Sequence, residues 1–256
     1  GAGDVFGISV AATDTHIVVG ASRADSFTGC AYIYNTDGTG EVKIQASDGA
    51  ASDYFGESVA VTDTKVIVGA WADDDAGGSS GSVYVYNTDG TGEVKITASD
   101  AAGGDRFGYS VAATDTKIIV GAIYDAGAGS RSGSVYVYNL DGTGELKITA
   151  SDGAVNDYFG KSVAASDTKI VVVSEGVNGY AGAVYVYNTD GTGEVKITAS
   201  DGAASDYFGR SVAINGDKII VGAYGNDDLA TDSGSVYVYN LDGTGELKIT
   251  ASDAAA

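Results

Sequence analysis

The pattern of hydrophobic and polar positions repeats five times along the chain, at intervals of 49 or 52 residues. In the second copy, runs of strand-like residues lie at 57–61, 65–70, 82–86 and 93–98. Each run is rich in β-branched and aromatic residues and is bounded by turn formers, which is typical of strands. No segment keeps helical spacing for long enough to predict a helix. The pattern therefore predicts four antiparallel strands per copy.

The order of the four strands follows from the turns and from one lysine. Thr62-Asp63-Thr64 joins the first two runs, and the fifth copy has Asn215-Gly216 there, a dipeptide that favours a tight hairpin. Each fourth run carries a central lysine, which is common on strands at the edge of a sheet. We therefore expect the fourth strand to be outermost. The lysines are Lys43, Lys95, Lys147, Lys196 and Lys248.

The third run reads Val83-Tyr84-Val85-Tyr86 and is repeated closely in all copies, so that both of its faces are apolar. A strand that is apolar on both faces is expected in a sheet packed between two other sheets. A stacked or radial array follows, since one copy of this size buries too little apolar surface to fold alone. The predicted fold is all-β, a five-bladed β-propeller with four antiparallel strands per blade. It forms one domain, 1–256, with repeats near 4–52, 53–104, 105–156, 157–205 and 206–256.

Two dipeptides recur at fixed spacing: Phe-Gly before the first strand of every copy, and Gly-Ala at the end of the second strand in four of the five copies. Glycine there allows neighbouring backbones to approach closely, and the phenylalanine fills the wedge between blades. The fourth copy departs from this with Val173-Ser174. The predicted structural residues are Phe6, Phe55, Phe107, Phe159 and Phe208, with Gly20, Gly69, Gly121 and Gly222.

This combination resembles the FG-GAP repeats of integrin α-subunit propellers and their bacterial and phage relatives. The resemblance covers the whole chain and implies a propeller fold. Integrin propellers have seven blades and, in several, an Asp-rich calcium loop between the first two strands. Here there are five copies and only a short hairpin such as Thr62-Asp63-Thr64, so that calcium loop is not carried over.

The two ends of the chain are at the same phase of the repeat. The C-terminal residues joined to the N-terminal ones read much like the internal junction at 98–108. We expect the ends to meet in a five-bladed ring. The alternative is one segment of a longer array.

Charge and composition exclude several classes of partner. The chain has 35 acidic and 14 basic residues, and its net charge of −21 argues against binding nucleic acid or an anionic membrane surface. No apolar run approaches the length of a membrane helix, so no membrane insertion is expected. Cys30 is the only cysteine, so no disulfide can form within the chain.

All variation in length lies between the second and third strands of each copy, and this loop is the predicted ligand-binding region. Aromatic residues beside carboxylates suit recognition of carbohydrate, cation or protein. The alternative is that these surface loops simply tolerate sequence drift. The candidate binding residues are Trp71, Asp73, Asp74, Asp75, Tyr124, Asp125, Arg131, Glu175, Tyr180, Tyr224, Asp227 and Asp228.

A second oxygen-rich segment follows the third strand in every copy. Asn87, Asp89 and Glu93, with Asn35, Asp37 and Glu41 in the first copy, faintly resemble the start of a calcium loop. The same residues also suit a hairpin, and their presence in all copies favours a structural role. Calcium is the one cofactor considered.

Catalysis has little support in the sequence. The single histidine, His16, stands where other copies have lysine, and no carboxylate pair is distinguished by an apolar setting. The sequence therefore predicts a non-enzymatic recognition or adhesion module on the cell surface, outside the cell or on a virion, binding a glycan or surface protein. The alternative is a structural spacer or self-associating subunit of a longer array, and a hydrolase comes third.

Overall fold

The computed structural model describes residues 3–228 and 230–253 and consists of five sheets, each with four antiparallel strands in sequence order. The first blade has β1 (Ser9–Ala12), β2 (His16–Ala21), β3 (Cys30–Asn35) and β4 (Val42–Ile44). The second has β5 (Ser58–Val61), β6 (Lys65–Ala70), β7 (Ser82–Asn87) and β8 (Val94–Ile96). The third has β9 (Phe107–Ala113), β10 (Lys117–Ala122), β11 (Ser134–Asn139) and β12 (Leu146–Ile148).

The last two blades follow the same plan. The fourth has β13 (Phe159–Ala165), β14 (Lys169–Ser174), β15 (Ala183–Asn188) and β16 (Val195–Ile197). The fifth has β17 (Ser211–Asn215), β18 (Lys218–Ala223), β19 (Ser235–Asn240) and β20 (Leu247–Ile249). Two single helical turns, α1 (Ala24–Phe27) and α2 (Val177–Tyr180), lie in the short second-to-third loops of the first and fourth blades.

The predicted four strands per blade, their order and the outermost place of the lysine-bearing strand are confirmed. The predicted domain limits include residues 1, 2, 229 and 254–256, which lie outside the described residues. Among the described residues, no helix is long and apolar enough to cross a membrane.

The core lies between the blades. Between the first and second blades, Phe55 packs on Tyr84 and Tyr86 of its own blade, at ring centroid distances of 5.4 and 6.2 Å. It belongs to the same buried cluster as Val18 and Ile33 of the first blade. Similar clusters form at each later junction, so the apolar faces that meet at these junctions cover each other.

A second set of contacts ties the outer strands of successive blades together. The linker between the third and fourth blades carries Ser151 and Asp152. Ser151 Oγ donates to Glu194 Oε1 at 2.6 Å. Asp152 accepts from Tyr185 Oη at 2.8 Å and from Lys196 Nζ at 2.6 Å. We call this linker motif the Ser-Asp tie, and it recurs at 47–48, 99–100 and 200–201.

The expected closure of the ring is not found. β1 and β2 pack on β5, and each later pair of inner strands packs on the next blade, but within 3–228 and 230–253 the first and fifth blades make no comparable contact. Phe6 is 57% exposed, whereas Phe55 is fully buried. Similar end sequences can form the same kind of junction, but the angle between successive blades decides whether the ends meet. The prediction of a closed five-bladed ring is therefore wrong for this structure.

The position of each phenylalanine predicts its contribution to stability. Phe107→Ala should leave a cavity between two blades and lower the free energy of unfolding by about 3–5 kcal/mol. Phe6→Ala should change it by less than about 1 kcal/mol, because Phe6 is largely exposed. Urea denaturation of both variants checks this. Equal losses would show that Phe6 is buried as Phe107 is.

The Ser-Asp tie predicts sensitivity to acid. The hydrogen bond from Lys196 holds the pKa of Asp152 below its ordinary value of 3.8, which the unfolded chain regains. Stability from this group is therefore complete above pH 3.8 and is lost as the pH falls through the folded pKa. Thermal unfolding at about pH 6 and about pH 3 should show a smaller loss for Asp152→Asn than for the parent chain. An identical loss would contradict this role of Asp152.

Candidate ligand-binding face

The backbone at each blade junction presents two residues in the left-handed region. One precedes Phe-Gly, and the other ends the second-to-third loop of the preceding blade. At the first junction these are Tyr54 (φ 58°) and Phe27 (φ 66°), and Tyr54 N donates to Phe27 O at 2.9 Å. The later pairs are Arg106 with Ser79, Tyr158 with Arg131, and Tyr207 with Tyr180.

This conformation is unfavourable for bulky side chains, and the surrounding structure must hold it in place. The next residue supplies such support, because Phe55 N donates to Thr28 O at 3.0 Å and Phe107 N to Ser80 O at 2.9 Å. The junction therefore fixes large side chains at the loop end of the propeller.

These side chains join with residues that follow Gly-Ala into a line of aromatic rings, which we call the aromatic belt. Tyr54 stacks on Trp71 at 5.0 Å, and Trp71 lies 6.5 Å from Tyr109. Tyr207 stacks on Tyr224 at 4.8 Å with an interplanar angle of 12°. In chain order the belt consists of Phe27, Tyr54, Trp71, Tyr109, Tyr124, Tyr158, Tyr180, Tyr207 and Tyr224.

Cationic side chains bridge and flank the belt. The Arg106 guanidinium lies 4.6 Å from the Trp71 ring and 4.2 Å from the Tyr124 ring, so it joins the two halves. Arg131 lies 4.9 Å from the same Tyr124 ring. Lys161 Nζ lies 4.7 Å from the Tyr109 ring and donates to its hydroxyl at 2.9 Å.

One buried carboxylate balances part of this charge. Glu175 is 6% exposed, accepts from Arg210 Nη1 at 3.1 Å and lies 3.6 Å from Lys161 Nζ. With Arg106 close by, the cations here outnumber the carboxylate. They border a cavity of about 210 Å³ lined by Arg106, Tyr109, Ile123, Tyr124, Tyr158, Lys161, Glu175 and Tyr180.

The distribution of basic residues separates this face from the rest of the chain. Nine of the fourteen basic residues occupy positions that are repeated between blades, either at the start of the second strand or in the middle of the fourth strand. The other five all lie beside a blade junction or in a second-to-third loop. These are Arg23, Arg106, Arg131, Lys161 and Arg210. Positive charge that is not part of the repeat is therefore concentrated at one end of a strongly acidic protein.

Six of the predicted binding residues lie in the aromatic belt or beside it. Trp71 and Tyr124 are half-buried, and Tyr180 and Tyr224 are exposed by 37% and 51%. Arg131 and Glu175 flank the belt.

The predicted carboxylates of this region lie elsewhere. Asp73 is 3% exposed and accepts from Ser82 Oγ at 2.9 Å, Tyr84 Oη at 2.9 Å and Lys95 Nζ at 3.0 Å. Asp125 has the equivalent partners in the third blade. Both are buried structural groups, so the direct ligand contact predicted for them does not agree with the structure.

The remaining predicted acids are exposed but not part of the belt. Asp75 pairs with Lys95, and Asp228 pairs with Lys248. Asp227 Oδ1 accepts from Asp232 N at 2.7 Å. Asp74 is exposed. Asp75 and Asp228 therefore fix their loops to the outer strands, and these carboxylates do not converge on one site.

The sequence also contains a pattern that could have identified the residues of the aromatic belt that were not predicted. Tyr54, Arg106, Tyr158 and Tyr207 stand directly before Phe-Gly, and Tyr109 stands directly after it. These two positions vary between copies although the dipeptide between them does not. Variation beside an unchanging structural motif could have identified them.

The oxygen-rich segment after the third strand does not fit a calcium ion. Asp89 Oδ1 accepts from Thr91 N and Oγ1 at 2.9 and 2.6 Å, which closes a turn. Asn87 Oδ1 accepts from the cationic Lys65 Nζ at 2.7 Å. Glu93 accepts from Ser47 and from Tyr86.

The first blade uses its copy of this segment in the same way. Asp37 accepts from Thr39, Asn35 Nδ2 donates to Thr39 Oγ1, and Glu41 accepts from Tyr34. Among residues 3–228 and 230–253, no three His, Cys, Asp or Glu side chains are grouped to hold a metal ion. The predicted calcium site therefore has no support in the geometry.

Comparison with known proteins agrees with the repeat seen in the structure. The model of the FG-GAP repeat matches residues 1–34, 39–86, 91–138, 143–187 and 192–239. The chain belongs to the FG-GAP repeat family. No curated protein sequence is significantly similar to it.

Two solved propeller structures share the fold of this FG-GAP protein. One is described as the crystal structure of a nidogen/laminin complex, with a TM-score of 0.60 and 12% identity over 99% of this chain and 82% of that one. The other is the hydrazine synthase of Kuenenia stuttgartiensis, with a TM-score of 0.63 and 14% identity over 96% of this chain. The FG-GAP chain covers only 66% of that protein. At these identities the likeness shows the fold alone.

The single tryptophan makes the belt observable in solution. Arg106→Ala should shift the Trp71 emission to longer wavelength, because the guanidinium over its ring would be replaced by water. Arg131→Ala is the matched control, since Arg131 lies over Tyr124 rather than Trp71. Steady-state fluorescence checks both, and an unshifted Arg106→Ala spectrum would contradict the stacking.

Proposed function

We propose that this FG-GAP propeller is a non-enzymatic recognition module that binds an acidic glycan along the aromatic belt. The supporting observation is the two series of ring contacts, which the Arg106 guanidinium joins between Trp71 and Tyr124. A propeller of this family is compatible with recognition, adhesion or a structural role. The belt favours recognition.

The chemistry of the belt suits a chain of sugar rings. Half-buried aromatic side chains such as Trp71 and Tyr124 offer apolar faces that can pack on the C–H faces of a pyranose. The belt crosses several blades and is therefore longer than a single sugar. An oligosaccharide that lies across the junctions is the ligand proposed.

The charge beside the belt favours a ligand with carboxylate or sulfate groups. Arg106, Arg131 and Lys161 supply charge-assisted donors near the cavity, and only Glu175 opposes them. The rest of the surface is acidic and repels such a ligand, which directs it to this face.

The proposal assigns no catalytic step. Glu175, the carboxylate at the cavity, is held in ion pairs with Arg210 and Lys161 and is given a positioning role only. Glycan binding also agrees with the predicted place of the chain outside the cell, on a cell surface or on a virion.

A glycan array that includes neutral, carboxylated and sulfated oligosaccharides tests the proposal. We expect binding to acidic glycans, weakened about tenfold or more by Trp71→Ala and by Arg106→Ala, and weakened by salt. Asp63→Asn is the matched control, because Asp63 is exposed in the hairpin at the other end of the blade. A chelator should have no effect.

Three results would contradict the proposal. Binding that is unchanged in both belt variants would show that the belt is not the site. Binding that is lost with chelator would restore the calcium hypothesis. Binding of a protein but of no glycan would assign the belt to a protein partner.

A further inference from the structure

The Arg106 guanidinium occupies the place of a tyrosine ring in the aromatic belt. The residue before Phe-Gly is arginine only in the third blade, whereas three other blades have tyrosine there, namely Tyr54, Tyr158 and Tyr207. The guanidinium carbon of Arg106 lies 4.6 Å from the centre of the Trp71 ring and 4.2 Å from the centre of the Tyr124 ring. The belt therefore contains one position at which a planar, charged hydrogen-bond donor replaces an aromatic ring.

No acidic side chain neutralises this guanidinium. Within residues 3–228 and 230–253, it has ring contacts but no hydrogen bond and no ion pair. By contrast, the lysine of every fourth strand is ion-paired with an aspartate. The chain has 35 acidic residues, so carboxylates are not scarce. The donors of Arg106 are fixed in place by the two rings and are available to an anion from outside the chain.

The cavity of about 210 Å³ beside this guanidinium suits a single negative charge. Arg106, Lys161 and Glu175 are the charged residues that line it. Glu175 already lies 3.6 Å from Lys161 Nζ and accepts from Arg210 Nη1 at 3.1 Å. Among the described residues that line the cavity, Arg106 is thus the one cation without a counter-ion. A second anionic group in the cavity would lie beside the Glu175 carboxylate, which repels it.

The two rings limit the direction from which an anion can approach. They cover the faces of the guanidinium, so its remaining donors are the N–H groups along its edge. We call the space between the Trp71 and Tyr124 rings along this edge the Arg106 slot. A guanidinium edge binds a planar carboxylate through two parallel hydrogen bonds. A sulfate can form the same two bonds, but its other oxygens project out of the guanidinium plane, on the sides where the rings lie. The slot therefore favours carboxylate over sulfate.

The rest of the cavity suits the sugar ring that carries the carboxylate. Ile123 is 2% exposed and lines the cavity together with the rings of Tyr109 and Tyr158, so part of the wall is apolar. Such surfaces can pack on the C–H faces of a sugar. Lys161 Nζ donates to the Tyr109 hydroxyl at 2.9 Å, so this hydroxyl can donate its own proton to a sugar oxygen.

We propose that the Arg106 slot is a carboxylate-specific subsite, which binds the carboxylate of one acidic sugar in an oligosaccharide that lies along the aromatic belt. The subsite rests on the glycan binding proposed above and specifies which acidic group is recognised and by which residue. The Arg106 N–H groups bond the two carboxylate oxygens, and the adjoining cavity holds the sugar ring. Neighbouring sugars lie on the other rings of the belt.

Matched oligosaccharides that differ in one group test the subsite. One set starts from oligogalacturonate and a second from oligoglucuronate. Each set also contains the neutral form, in which the carboxylates are reduced to alcohols, and the form in which those alcohols are sulfated. Isothermal titration calorimetry with the parent chain should show that a carboxylate form binds about tenfold or more tighter than its neutral and sulfated forms, because of the charge-assisted hydrogen bonds in the slot.

Substitutions of Arg106 separate the slot from the general positive charge of this face. Arg106→Gln should abolish the preference for the carboxylate form. Arg106→Lys keeps the charge but not the planar fork, so it should keep the preference for acidic over neutral forms and lose the preference for carboxylate over sulfate. Arg131→Gln is the matched control. It removes the same charge beside the same Tyr124 ring, but Arg131 is exposed and outside the cavity lining, so the preference for carboxylate should remain.

The outcomes distinguish failure of the subsite from failure of the proposed function. Equal binding of the carboxylate and sulfated forms, or a preference for carboxylate that survives Arg106→Gln, would overturn the subsite and leave glycan binding by the belt in place. An equal loss of the preference in Arg131→Gln would show attraction by overall charge and would also overturn the subsite. A parent chain that binds no oligosaccharide of either set and no glycan of the array would overturn the proposed function and the subsite together.

Discussion

The close approach of two glycines at three of the four blade junctions is the constraint on which the rest of the structure depends. A Cβ on Gly20 would lie 2.0 Å from Gly56 O, and a Cβ on Gly121 would lie 2.2 Å from Gly160 O. No side chain fits at such distances, so these positions require glycine. The contact sets how near the next blade lies, and the phenylalanine then closes the remaining wedge. The fourth blade shows the effect of its loss, because Val173 replaces the glycine and Ser162 forms no bond like that of Ser110 to Gly160 O.

The same junction also shapes the loop face of the molecule. It holds residues such as Tyr54 and Arg106 in the left-handed conformation, and their side chains complete the aromatic belt. The proposed recognition on the loop face would thus follow from the packing unit that builds the array.

Repetition made the fold predictable from the sequence. Comparison of five copies separated strands from loops, and β6 begins and ends at the predicted residues 65 and 70. The outer strand is shorter than predicted at both ends, and at its start Glu93 is bonded across the junction to Ser47 rather than placed in the ladder. Ring closure was not predictable, since it depends on the angle between blades and not on local pattern.

The candidate site was only partly predictable for a related reason. Trp71 and Tyr124 were identified because their loop varies, but the same reasoning included Asp73, whose partners Ser82 and Tyr84 come from a neighbouring strand. Tyr54 was missed because it stands inside the most regular part of the repeat. Variation between copies can therefore identify binding residues only after the residues with structural contacts are known.

The central claim, that close glycine contacts fix three of the four described junctions, is tested most directly by Gly69→Ala and Gly222→Ala. The two glycines occupy equivalent positions, and only Gly69 faces a carbonyl of another blade. At low protein concentration, the account predicts that Gly69→Ala lowers the free energy of unfolding by about 3 kcal/mol and that Gly222→Ala changes it little. Equal losses in the two variants would contradict the account.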